Sequence, residues 1–117
     1  MKLFFPHGPV SWNEYIAIER GNKYAASAFK KKQKEQVCAE FFGMAYDGKY
    51  PITITFRPHF KNKRRDLDNV VIKGILDGLV ACGVIRNDNL KHIQRIILEP
   101  VFDDTEGIEV IIEPLEE

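Results

Sequence analysis

In the middle of the chain, Lys63-Arg64-Arg65-Asp66-Leu67-Asp68-Asn69 sets two carboxylates directly behind a basic run, and Asn87-Asp88 adds a third about twenty residues on. Acids beside cations suit work on a phosphodiester: oxygen donors hold a hard divalent ion, and bases hold the phosphate. Residues i and i+2 of an extended segment point to one side, so Asp66 and Asp68 are expected to face one cation. A helix starting just behind them would add free N–H groups and partial positive charge, which favour carboxylate and phosphate alike. Asp88 is expected to join them only if Val84-Ile85 folds back beside the strand that ends near Arg57. Such donors suit one or two magnesium ions, with manganese as a possible substitute, because magnesium keeps several waters and takes few protein carboxylates. The ion would neutralise charge, activate a water and stabilise the leaving oxygen. Lys73 is placed to offset charge on the phosphate, and Arg64 and Arg65 to grip its neighbours.

Each of these residues also has a plainer explanation. Asp68 is a natural helix N-cap. Lys73 and Asp77 are spaced i, i+4, an ion pair worth roughly 0.2–0.5 kcal/mol. Asn87-Asp88-Asn89 is good turn chemistry in itself. On residue types alone, both explanations stand.

The formal net charge is zero, but its distribution is uneven. Arg20, Lys23, Lys30, Lys31, Lys32 and Lys34 fall in a stretch without an acid, as do Arg57, Lys61, Lys63, Arg64 and Arg65. Every charged residue from Glu99 to Glu117 is acidic. This polarity predicts one face that attracts phosphate and another that repels it. Lys30 and Lys31, with Lys61, Lys63, Arg64 and Arg65, are the candidate DNA-binding cations. For the first group, the solvated face of a helix is the alternative.

These residues must be positioned by a modest set of elements. Residues 2–6 are predicted as a strand, and Pro6 to Arg20 as a loop carrying Ser11, Trp12, Asn13 and Tyr15. A helix is expected over 25–46, with Phe29, Val37, Phe41 and Met44 near helical spacing. After the Asp47-Gly48 turn, Ile52, Ile54 and Phe56 alternate with Thr53 and Thr55, which marks a half-buried strand that Pro58 should end. A second helix is predicted over 68–81, capped by Asp68 or Asn69 and stopped by Gly83. Residues 92–98 and 108–112 read as two more strands, with the Glu106-Gly107 turn between them. The order βαβαββ predicts an α+β domain, with a mixed sheet of about four strands and two main helices on it.

Composition narrows the function classes. A chain of 117 residues with 44% hydrophobic content is expected to be one globular domain, residues 1–117. No apolar run approaches the ~20 residues of a membrane span. No signal peptide is expected, since Pro6, His7 and Gly8 interrupt the apolar start. Cys38 and Cys82 are read as reduced core thiols of a cytoplasmic protein. His7, His59 and His92 show no zinc-ligand spacing.

Three stretches together have a fairly specific pattern: Arg64-Arg65-Asp66-Leu67-Asp68-Asn69, Lys73-Gly74-Ile75-Leu76-Asp77-Gly78-Leu79 and Gly83-Val84-Ile85-Arg86-Asn87-Asp88. They resemble the core signature of the RusA-type Holliday-junction resolvases. The Pro6 to Tyr15 loop, with Ser11, Asn13 and Tyr15, resembles that family's Pro-rich start, and the resemblance covers nearly the whole chain. It implies a homodimeric, magnesium-dependent endodeoxyribonuclease of phage or prophage type that cuts four-way DNA junctions in recombination and repair. It implies metal-holding roles for Asp66, Asp68 and Asp88, and a catalytic role for Lys73. Two departures stand out. Lys73 follows Asp68 by five residues where the family commonly has four, which on a continuous helix would turn it away by about 100°. Asn87 replaces the first of two adjacent acids. A DNA-binding protein that no longer cuts is the alternative. Trp12, Tyr15 or Phe60 is a candidate for stacking on a base at an opened junction.

Overall fold

Isoleucine and phenylalanine alternating with threonine make the central strand of the sheet, β2 (Ile52–Phe60). Ile52, Ile54 and Phe56 are fully buried on one face, and Thr53 is nearly so on the other. This is a computed structural model, which describes residues 1–11, 14, 16, 17, 20 and 23–116, with the backbone alone at 23–26. The other elements are β1 (Lys2–Phe5), α1 (Lys23–Glu40), α2 (Lys73–Ala81), β3 (Ile93–Leu98), β4 (Val101–Phe102) and β5 (Ile108–Pro114). The fold is α+β, as expected, with one short strand, β4, beyond the anticipated set.

The sheet order is β1-β5-β2-β3, and β4 continues along β2 past the end of β3. β1, β5 and β2 are antiparallel neighbours. β3 and β4 run parallel to β2. A parallel pair cannot be joined by a hairpin and needs a crossover. Residues 61–92, including α2, provide it, and they carry every acid of the predicted site.

Gln33 and Val37 form the buried stripe of α1, continued at i+8 by Phe41 just past its end, while Lys30, Lys31, Lys32 and Lys34 are exposed. α1 lies parallel to α2, with Gln33 over Gly74 and Val37 over Gly78. A Cβ on Gly78 would sit 2.7 Å from that of Val37, so both glycines serve close helix packing. Ile75 and Leu79 point from α2 into one continuous core with Phe5, Val37, Phe56, Ile85 and Val110. Cys38 and Cys82 are free and half-buried rather than fully interior. No helix of the described residues is long and apolar enough to cross a membrane.

Four boundaries differ from expectation. Pro58 does not end β2, which runs on to Phe60. The proline lies across from the Glu99-Pro100 gap between β3 and β4, where no ladder needs its missing N–H, and His59 N–H resumes pairing at Gly107 O (2.9 Å). α1 stops at Glu40, followed by Gly43 at φ +77°. In the expected Pro6–Arg20 loop, Glu14, Ile16, Ala17 and Arg20 are helical, while Trp12, Asn13 and Tyr15 lie outside the described residues. The second helix begins at Lys73 with Ile72 as its cap, so neither Asp68 nor Asn69 caps it. Val70 and Val71 are instead drawn into pairing with Ser11 and Val10, and burial of both valines favours that arrangement.

Candidate active site

The loop leaving β2 is built around its polar side chains. Asn62 Oδ1 accepts the Arg64 N–H at 2.9 Å, an Asx turn that reverses the chain. Arg65 reaches back to the N-terminal segment, donating to Pro9 O (3.4 Å) and to Glu14 (3.1 Å). Its guanidinium lies 5.7 Å from the Phe60 ring centroid. Asp66 is extended (φ −93°, ψ 130°) and leads into a single 3-10 turn, Leu67–Asn69, closed by Asn69 N–H on Asp66 O (3.2 Å). Val71 N–H on Val10 O (2.8 Å) then fixes the far side. A cleft of about 230 Å³ results, lined by Ser11, Arg64, Arg65, Asp66, Asn69 and Val70. Asp66 lines it, and Asp68 stands exposed in the turn beside it.

Two expectations about this pair need correction. Asp68 lies in a 3-10 turn, so the same-side argument for an extended i, i+2 pair does not describe it. α2 starts only at Lys73, so its terminal N–H groups are not beside Asp68. The one-residue offset of Lys73 likewise loses its meaning, because no continuous helix joins the two residues. Lys73 is exposed and pairs with Asp77 at 3.4 Å, as the i, i+4 reading anticipated.

Asp88 lies at the other end of the crossover. Arg86 N–H donates to the Tyr50 hydroxyl (3.1 Å), and Ile52 N–H to His92 O (2.7 Å). The Asn87-Asp88-Asn89 turn therefore sits where β2 begins, whereas Asp66 follows where it ends. A strand of 9 residues spans roughly 30 Å. Val84 O accepts from Tyr46 N–H, and both Tyr46 and Tyr50 precede β2, so the Val84-Ile85 segment returns toward the Ile52 end of that strand. Among the described residues, no three His, Cys, Asp or Glu side chains come together to hold a metal ion.

The donors themselves fit a hard cation. Asp66, Asp68 and Asp88 are all exposed, and among the described residues none makes a side-chain hydrogen bond or ion pair. Other acids are engaged. Glu109 and Glu99 hold Arg57 at 3.2 and 3.9 Å, Glu14 holds Arg65 and Asp103 holds His59. Arg57 is thereby removed from the basic run and works as a cross-strand pair with Glu109, its register partner. Arg64 remains exposed at the cleft, and Lys61 and Lys63 are exposed on the loop that leads to it. Lys30 and Lys31 are exposed on α1.

Sequence reasoning missed Asn69 as a cleft residue and the tie between His59 and Asp103. The His59 Nδ1 lies 2.9 and 3.0 Å from the two Asp103 oxygens. That hydrogen bond holds the Asp103 carboxyl below its ordinary range. No local signal pointed to the tie, since 44 residues of sequence separate the two.

Comparison with known families supplies the remaining finding. The family model of endodeoxyribonuclease RusA matches residues 6–113. Comparison with curated proteins gives no match. The matched span contains every element from α1 to β4, most of β5, both acidic loops and the cleft. The chain belongs to the RusA endodeoxyribonuclease family.

Proposed function

We propose that this chain is a divalent-metal-dependent endonuclease that resolves four-way DNA junctions by paired nicks, acting as a homodimer in recombination and repair. The observation that carries the reading is Asp66, without a side-chain partner among the described residues, in a polar cleft that Arg64 and Arg65 also line. A carboxylate left open in a cleft lined by two arginines has more to gain from a cation and a phosphate than from the fold. Asp66 and Asp68, with Asp88 of a second copy, would hold magnesium, or manganese in its place. When bound, that ion would supply charge neutralisation at the scissile phosphate, an activated water and a stabilised leaving oxygen. The second copy is called for because the crossover keeps Asp88 and Asp66 at opposite ends of β2 within one chain. A symmetric junction also favours a symmetric binder.

The protein's own groups divide the remaining work. Arg64, Lys61 and Lys63 hold the backbone near the cleft, and Lys30 and Lys31 extend that surface, giving salt-dependent, largely sequence-independent affinity. Lys73 leaves Asp77 to offset charge at the reacting phosphate; their pair is exposed and weak enough to exchange. Incubation of the purified protein with a synthetic four-way junction and magnesium tests the reading. Symmetric nicks are expected, lost in Asp68→Asn while binding persists. Binding without cleavage in either magnesium or manganese would leave only a DNA-binding protein.

A further inference from the structure

Beside the cleft stands an aromatic surface that hydrolysis does not use. Phe102, half of the two-residue strand β4, keeps 49% of its surface exposed. Its ring lies 6.5 Å from that of buried Phe60, tilted by 37°. The Lys63 ammonium stands 5.5 Å from the Phe102 centroid. Phe60 also lines a second cleft, of about 440 Å³, together with Gly8, Pro9 and His59. The loop after β2 contributes Lys61, Asn62 and Arg65 to its lining, and the turn before β5 contributes Asp104, Thr105 and Glu106.

The chemistry of this surface selects its occupant. A flat apolar face is offered next to cations, and acids stand on the turn across from them. A phosphate is attracted to Lys61, Lys63 and Arg65 and repelled by Asp104 and Glu106. An uncharged aromatic ring is free of that repulsion and gains from Phe102. The occupant therefore carries phosphate and a planar ring on one short unit, which describes a nucleotide. Bases within a duplex show only their edges in the grooves, whereas a displaced base offers its whole face.

We propose that Phe102, backed by Phe60, is a stacking platform for a base displaced at the branch point of the DNA substrate. Lys63 covers the ring in the free protein through a cation–π contact worth about 0.5–1 kcal/mol at an exposed site. It moves to the flanking phosphate when the base arrives. The inference rests on the DNA-cleaving reading and adds to it a residue that favours branched over continuous DNA.

Binding of a four-way junction and of a duplex of equal length, measured without divalent metal so that neither is cut, tests the platform. Phe102→Ala should weaken junction binding about tenfold, within the range for loss of one stacked base, and leave duplex binding unchanged. Phe102→Trp should restore it. Its added emission should be quenched by junction and not by duplex, over the background of Trp12 in the parent chain. Equal junction binding by the parent and Phe102→Ala would overturn the proposal. So would dissociation of a dimer in Phe102→Ala, which would make the ring an interface residue. If the parent chain binds no junction at low salt, the DNA reading itself fails. Parent binding that Phe102→Ala leaves intact removes the platform alone.

Discussion

The loop that leaves β2 and the loop that enters β3 are alike in composition, since both are polar and turn-rich and mix carboxylates with cations. They are held in opposite ways. The first is tied to distant parts of the chain: Arg65 to Pro9 and Glu14, Val70 to Ser11, Val71 to Val10. The second is largely self-contained. Asn87 Oδ1 accepts Asn89 N–H at 3.1 Å, Asn89 Oδ1 accepts Lys91 N–H at 3.2 Å, and the His92 ring reaches the same oxygen at 2.6 Å. A loop assembled from distant segments makes a cleft. A loop closed on its own asparagines makes a projection, here carrying Asp88 beside Leu90, which is 81% exposed. In the proposed dimer, the cleft of one copy and the loop carrying Asp88 of the other would complete one site.

The sharpest way to break this comparison is to mix two inactive variants. If each site takes Asp68 from one copy and Asp88 from the other, a dimer of Asp68→Asn with Asp88→Asn has one site with both changes and one intact site. Alone, each variant should lose cleavage by at least about 10²–10³-fold, the scale of removing one electrostatic contact to the reacting phosphate. Mixed and allowed to exchange, they should regain about a quarter of the parent's active sites, seen as single nicks, since half of randomly paired dimers are mixed. If every site lies within one chain, the mixture stays inactive.

The crossover that separates the two loops depends on close helix contact. Gly78→Ala would place a Cβ 2.7 Å from that of Val37. Neither group is a flexible tip, so α1 and α2 must move apart, at about 1–3 kcal/mol. Urea unfolding should show that loss as a lowered midpoint. An unchanged midpoint would mean that the helices are not locked in register, and that the ends of the crossover are free to approach.

The first loop should bind the DNA backbone, and a smaller effect sharpens that assignment. Removing Lys61, Lys63 or Arg64 singly to Ala should reduce the slope of log K against log salt by about 1 each. Arg57→Ala should leave the slope alone and lower stability instead, because Glu109 already holds that guanidinium. A reduced slope for Arg57→Ala would redraw the DNA-facing surface to include the central strand.

Much of this architecture is legible in the sequence because local rules decide it. The alternation from Ile52 to Phe56, the apolar spacing from Ile75 to Leu79 and the stop at Gly83 all describe elements that exist. The start of α2 was not legible. Asp68 and Asn69 are good caps, and propensity favours a helix beginning there. Burial of Val70 and Val71 against the N-terminal segment overrides it, and that partner is about sixty residues away in the chain. Pro58 misled for a similar reason: its missing N–H matters only if a neighbouring strand needs it, and the gap between β3 and β4 cannot be seen locally. The acids were identifiable by type and by family resemblance. Their separation follows from the parallel pairing of β2 and β3, a property of topology that no spacing rule contains.

The smallest expected effect concerns how the first end is fastened. His59, next to last in β2, donates from Nδ1 to Asp103 just after β4, while the other ring nitrogen is buried without a partner among the described residues. The hydrogen bond from His59 holds the Asp103 carboxyl below its ordinary value of 3.8. A group depressed in the folded state stabilises the fold above its unfolded value, and that stability is lost as pH falls through the folded value. The parent should therefore melt above Asp103→Asn at neutral pH, and the gap should close on acidification below 3.8. Because Asp103 is exposed, the gap should be the smallest of these effects, and salt should narrow it further. A gap that persisted unchanged through that range would show that the tie acts by shape rather than charge. The end of β2 beside the cleft would then be held by its backbone pairing with β4 and β5.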